Sequence, residues 1–208
     1  MNVTGYVLAG GKSSRFGSDK ARAILDGVPL IVRVAVTVAE KCRPVIAVAD
    51  VVGKYDDLGL LTIADRRPGL GPLTGLETAL AHRLAQHGPG WLLLVSCDLA
   101  AVKAEWIDTI LRQLPPDERN PASAAVAFRS AFWQPFPAAF HTDLLPLITA
   151  MLDEENASFQ RLLSDGRSKA FALPLPSDWP ETPQVNTPED LKRLAIESQD
   201  ITAGDDAV

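Results

Sequence analysis

Short apolar runs and amphipathic stretches take turns along the first half of the chain. Residues 3–8 form an apolar-rich run that stops at Gly10-Gly11, the pattern of a buried strand opening into a loop. Residues 12–19 are polar, with Gly17 among them, and predict a loop. Residues 29–41 place Ile31, Val34, Ala35 and Val38 at helical spacing behind Pro29, and a first helical turn tolerates proline. Residues 45–48 and 60–64 predict strands, and 73–84 a helix. Residues 91–95 are apolar throughout, as a parallel strand covered on both faces requires, and 103–114 return to helical spacing.

This alternation predicts a three-layer α/β/α fold with a mainly parallel central sheet. Such folds bind ligands beyond the carboxyl ends of their strands. The polar clusters after Leu8, Ala64 and Val95 fall at those ends. The second half is less regular. Residues 124–128 predict a strand, and 133–137 an extended segment whose prolines suit an edge or a bulge better than a central strand. Residues 142–152 and 158–163 predict helices, and 169–173 a strand. Thr187-Pro188-Glu189-Asp190 has the form of an N-cap, a first-position proline and an acidic first turn, opening a helix to about residue 197. Residues 202–208 are polar and acidic, as in a frayed tail.

At 208 residues the chain is long enough for one domain with a substantial core. Twenty Lys and Arg against 26 Asp and Glu leave a net charge of −6, which argues against a protein that coats nucleic acid. Two cysteines, Cys42 and Cys97, make neither a disulfide framework nor a zinc site. No apolar run reaches membrane-spanning length, so no membrane partner and a cytosolic location are expected.

The segment from Leu8 to Lys20 carries most of the candidate chemistry. Gly10 and Gly11 let backbone N–H groups approach phosphate oxygens, and Lys12, Arg15 and Lys20 add charge. The alternative is a glycine-rich surface turn with solvated cations. A Walker A loop needs four residues between its first glycine and Gly-Lys-Ser, whereas five lie between Gly5 and Gly11. Gly69-Leu70-Gly71 fails the dinucleotide fingerprint, because the third glycine, Gly75, comes one place late and Pro72 interrupts. Asp98 follows an apolar strand, where a carboxylate suits Mg²⁺ or, alternatively, an N-cap. Asp65 could accept from paired N–H donors such as a guanine edge, or pair internally with Arg66 or Arg67. Cys97 reads as a packed thiol rather than a nucleophile, and His82 and His87 as solvated residues near a helix end.

Taken together, four segments resemble the molybdenum cofactor guanylyltransferase (MobA-type) family, within the sugar-nucleotidyltransferase-like superfamily. They are Leu8-Ala9-Gly10-Gly11 with Arg15-Phe16-Gly17 and Lys20; Asp65 with Gly71-Pro72-Leu73-Thr74-Gly75; Ser96-Cys97-Asp98; and Gln184-Val185-Asn186-Thr187-Pro188-Glu189. The order and approximate spacing hold from residue 3 to residue 194. The resemblance implies a Rossmann-like nucleotidyltransferase domain over residues 1–198, with 199–208 as a flexible acidic tail. It implies transfer of GMP from GTP to molybdopterin, giving molybdopterin guanine dinucleotide and pyrophosphate. On that reading Leu8, Ala9, Gly10 and Gly11 hold nucleotide, Arg15 and Lys20 neutralise phosphates, and Asp65 contacts nucleotide. Asp98 binds Mg²⁺, Asn186 supplies a second metal-side oxygen, and Gln134 is a candidate for the pterin side. Molybdoenzymes or their chaperones are implied as recipients.

The match has departures. The second strand ends in Ala49-Asp50 where the family usually has Asn, so Asp50 is a candidate substitute. No proline follows Asp98, Phe16 replaces Met, and Gln184 replaces the first Asn of its motif. Two rival functions follow. One is a cytidylyl or other nucleotidyl transfer, against which Gly10-Gly11 favours a purine; the other is a non-catalytic nucleotide binder.

Overall fold

The computed structural model describes residues 3–10, 16–17, 19–115 and 122–205, the side chains of 197–205 excepted. A seven-stranded sheet forms the middle layer. Its left half is parallel: β1 (Thr4–Leu8) lies between β4 (Val45–Ala49) and β6 (Trp91–Ser96), with β5 (Thr62–Ala64) outside β4. Beyond β6 come β8 (Trp133–His141), β7 (Ala125–Arg129) and β9 (Ala170–Leu173), so the order is β5-β4-β1-β6-β8-β7-β9. Only β8 runs against the rest. The mainly parallel α/β architecture expected from the alternating pattern is therefore present.

The strands read as apolar runs because helices cover both faces. Helix α1 (Leu30–Ala39) buries Leu30, Ile31, Val34, Ala35 and Val38 on one stripe and touches α3 (Ala104–Leu111). Helix α2 (Pro72–His87) packs against α4 (Leu145–Asp153). A short α5 (Phe159–Ser164) lies against β8, and α6 (Pro188–Asp205) follows the last strand. Fully buried Tyr6, Trp91, Leu92, Phe128 and Phe140 lie in one continuous core.

Three details depart from the sequence-based expectation. Residues 133–137 begin an interior strand, not an edge. The prolines are accommodated by a register shift: Ala127 pairs with Ala138 but Phe128 with Gln134, which leaves Pro135 and Pro137 in a bulge. A two-stranded hairpin, β2 (Ile24–Leu25) and β3 (Val28–Pro29), precedes α1 and moves the helix start to Leu30. Its turn, Asp26-Gly27, has φ of 50° and 78°, the paired positive values that suit a tight hairpin. Helix α6 continues through Asp205, past the predicted end; of the expected tail, 206–208 lie outside the described residues.

The chain leaves β1 toward β4 and β5, then returns through α2 to β6 on the other side of β1. That reversal is a topological switch point, and its crevice opens beyond the carboxyl ends of β1 and β6. Leu8 pairs with both Val48 and Ser96, so β1, β4 and β6 end level there.

Candidate active site

Asp98 sits in the turn that follows β6, at the switch point. The Cys97 N–H donates to the Leu8 carbonyl at 2.9 Å, which fixes the turn against β1. The Asp98 carbonyl accepts from Val185 N–H at 2.8 Å. This bond brings a distant segment onto the corner, and a small second core secures it. Val185 packs with Leu25, Leu30 and Ala100, and Phe16 and Leu191 lie against them. Thr187 and Asp190 then start α6 with a reciprocal cap: Thr187 N–H donates to Asp190 at 2.9 Å, and Asp190 N–H to the Thr187 hydroxyl at 3.1 Å.

Lys20 and Asn186 meet Asp98 across this corner. Lys20 Nζ donates to Asp98 Oδ2 at 2.8 Å and to Asn186 Oδ1 at 3.4 Å. Both members of the ion pair are largely buried. Asp98 Oδ1 is buried and has no hydrogen-bond partner among the described residues. Such an oxygen is costly unless something binds it. A carboxylate oxygen beside an amide oxygen is a donor set that fits a hard divalent cation such as Mg²⁺. Among the described residues no group of three or more His, Cys, Asp or Glu could hold a metal, so substrate oxygens and water would complete the shell. Asp98 caps no helix: α3 starts six residues later, behind Lys103.

A cleft of about 250 Å³ opens at the same edge of the sheet, lined by Leu8, Gly10, Asp50, Asp65, Gly69 and Pro72 among others. Its far wall is the loop from Asp65 into α2. Asp65 Oδ2 accepts from the Thr74 hydroxyl at 2.7 Å, and Oδ1 from the Thr78 hydroxyl and Arg67 N–H, each at 3.1 Å. Arg67 itself pairs with Glu77 at 3.1 Å and Asp153 at 2.6 Å. The internal ion pair that sequence left open for Asp65 with Arg66 or Arg67 is not made among the described residues; Arg67 reaches Asp65 through its backbone N–H instead. Gly71, with φ of 101°, turns the chain into α2, and Gly75 lets α2 approach β1. A Cβ at Gly75 would lie 2.7 Å from Leu8 Cδ2. Asp50 is held by Lys54 at 2.8 Å, and that bond chiefly lowers its pKa below the ordinary carboxylate value.

The structure thus brings Leu8, Gly10, Asp65, Lys20, Asp98 and Asn186 to one edge of the sheet, with Ala9 next to Gly10 in the chain. Gly11 and Arg15 lie outside the described residues, as do Lys12, Ser13, Ser14 and Ser18. Gln134 is the second residue of β8, which runs antiparallel to β6, so it lies toward the same edge. Cys97 is buried and its thiol is pushed up to about 12, chiefly by desolvation; it is a packed thiol. His82 is not simply solvated, because Tyr6 Oη and His82 Nδ1 are hydrogen-bonded at 2.8 Å. Sequence reading missed Thr74 and Thr78 as partners of Asp65. It also missed Tyr55, whose buried hydroxyl reaches Asp19, next to Lys20, at 2.9 Å. Thr74 and Thr78 sit one helical turn apart on α2, a spacing that could have been noticed; no local signal marks Tyr55.

Known proteins resemble this chain in sequence and in fold. Residues 5–170 match the family model for the MobA-like NTP transferase domain. A Deinococcus radiodurans protein named as a probable molybdenum cofactor guanylyltransferase is 35% identical over 195 residues, covering 94% of this chain and 95% of the relative. A Nostoc protein of the same name is 31% identical, covering 97% and 94%. Among solved structures, molybdopterin-guanine dinucleotide biosynthesis protein A from Archaeoglobus fulgidus superposes with a TM-score of 0.75 at 19% identity, covering 95% of this chain and 100% of that one. A CMP:2-keto-3-deoxy-manno-octonic acid synthetase complexed with CTP gives 0.74 at 14% identity, covering 96% and 100%. At such identities the two structures speak for the fold.

Proposed function

The chain belongs to the family of MobA-like NTP transferase domains, and from that premise we propose that it transfers GMP from GTP to the phosphate of molybdopterin, releasing pyrophosphate. The observation that carries the reading is Asp98. It is a largely buried carboxylate with one oxygen on Lys20 and the other without a partner among the described residues, at the switch point and on the same sheet edge as the cleft. The names of the relatives supply the base and the acceptor.

The chemistry needs no covalent enzyme intermediate. An oxygen of the acceptor phosphate attacks the α-phosphorus of GTP in line; the new P–O bond forms as the bond to the β-phosphate bridging oxygen breaks. Pyrophosphate leaves with that electron pair. Catalysis is then positioning and charge stabilisation. The cleft between Gly10 and the Asp65 loop receives the nucleoside, and the wall carboxylates Asp50 and Asp65 offer acceptors to N–H donors on a purine edge. Lys20 places an ammonium against the phosphates. Asp98 and Asn186 would hold Mg²⁺, which would supply positive charge against the charge that develops in transfer. Gly11, Arg15 and Gln134 complete the assignment on the nucleotide, phosphate and pterin sides.

The test is thermal stability with Mg²⁺ and each of GTP, CTP, ATP and UTP, followed by product analysis with molybdopterin. At about a hundred times its Kd a ligand adds roughly 2.7 kcal/mol of stability. A GTP-selective shift and formation of the guanine dinucleotide are expected. CMP transfer without GMP transfer would replace the base, and binding without pyrophosphate release would make the protein a non-catalytic binder.

A further inference from the structure

Lys20 sits in a three-residue 3₁₀ turn, Lys20–Arg22, far too short to hold itself in water. Its position is imposed from outside. Asp19 caps the turn through Oδ1, which accepts from Ala21 N–H at 3.1 Å. The Tyr55 hydroxyl lies 2.9 Å from Asp19 Oδ2, 3.2 Å from Oδ1 and 3.3 Å from the Ala9 carbonyl. A phenol has one proton to donate, and the charged oxygen at the shortest distance takes it. Tyr55 is fully buried, and its own N–H is fixed on the Thr62 hydroxyl at 3.2 Å. Two further contacts clamp the same turn to the same segment. Arg22 forks onto Asp57 at 2.8 and 2.9 Å and donates to the Lys54 carbonyl at 2.7 Å. Lys54 lies 3.4 Å from Asp19 and 2.8 Å from Asp50 on the cleft wall.

We infer that Tyr55 and Asp19 are positioning residues that hold Lys20 at the transfer site, with Lys54 joining this clamp to the wall of the nucleoside cleft. The inference rests on the function proposed above. Neither residue needs to touch substrate. Tyr55 sets Asp19, Asp19 sets the turn, and the turn aims Lys20 at Asp98. A small displacement of a group that stabilises charge costs rate more than affinity.

The experiment compares wild type, Tyr55→Phe and Asp19→Ala by amide hydrogen exchange and by steady-state transfer kinetics. Tyr55→Phe keeps the ring and removes only the hydroxyl. Expected for both variants is exchange at Ala21, Arg22 and Ala23 faster by about tenfold, with the amides of β1 and β6 unchanged. The kcat should fall by about tenfold in Tyr55→Phe and more in Asp19→Ala, while KM for GTP moves less than about twofold. Unchanged exchange at Ala21 in either variant overturns the clamp. So does a kcat loss that comes with faster exchange throughout the sheet, because that is general destabilisation. A wild type that binds GTP yet transfers nothing overturns the function, and the exchange data still judge the clamp.

Discussion

Asp65 and Asp98 are two carboxylates just beyond two parallel strands of one sheet, and the fold treats them in opposite ways. Asp65 takes three protein donors, Thr74, Thr78 and Arg67 N–H, out of about four acceptor sites on a carboxylate. Asp98 has a lysine on one oxygen and nothing from the described residues on the other. The first carboxylate spends most of its acceptors on shaping a loop; the second keeps one oxygen unspent, at some cost to the folded chain. Residue type and strand position therefore do not decide a role. The count of satisfied acceptors distinguishes them: one residue builds the cleft wall, and the other keeps an acceptor for the reaction proposed above.

Exchanging the two residues' consequences is the strongest way to break this contrast. Asp98→Asn is expected to lower turnover by about a thousandfold, the scale of losing a key charge-stabilising group. Its ligand-free melting temperature should stay within about 2 °C, because relief of the charged oxygen that has no partner among the described residues offsets the lost ion pair with Lys20. A large fall in stability, read in a thermal melt, would make Asp98 structural. The mirror experiment is Asp65→Ala. It strands the Thr78 hydroxyl proton and the Arg67 N–H in a half-buried loop, while Thr74 keeps the Gly71 carbonyl at 2.7 Å, and should cost about 1–3 kcal/mol in urea unfolding. Unchanged stability would show the Asp65 bonds to be incidental.

Smaller effects sharpen the picture. Gly75→Ala would push a methyl to within 2.7 Å of Leu8 at the floor of the cleft. A loss of about 1–3 kcal/mol is expected, with weakened nucleotide binding by calorimetry. The least effect concerns Asp50. Its folded pKa is lowered, chiefly by Lys54, so the pair's contribution is complete above the ordinary carboxylate pKa of about 3.9 and fades as pH falls through the lowered value. The Asp50 side chain is 55% exposed, so screening leaves only a few tenths of a kcal/mol. Lys54→Met should flatten that acid limb of the stability–pH curve slightly, and an unchanged limb would remove the pair from the account.

The parallel half of the molecule was legible because buried strands leave unbroken apolar runs, as at residues 91–95, and because polar clusters follow them. Asp98, Lys20, Asp65 and Asn186 were legible through motif resemblance, and the structure gathers them at one edge. The interior place of β8 was hidden by its prolines, whose missing donors a bulge absorbs. The hairpin before α1 had a signal in Asp26-Gly27, but two-residue strands are too short to show alternation. The link between Tyr55 and Asp19 spans 36 positions and follows no period; only tertiary structure joins them.

The bond from Val185 N–H to the Asp98 carbonyl has a further consequence for the order in which the protein becomes competent during synthesis. A ribosome releases the cleft first, since its lining residues all precede position 76. The strap that brings Asn186 to Lys20 emerges more than a hundred residues later. Translation proceeds at roughly 5–20 residues per second, so several seconds separate the two events. The residues of the cleft wall are thus made well before the residue that completes the Asp98 corner, and that corner cannot close until Asn186 has been synthesised.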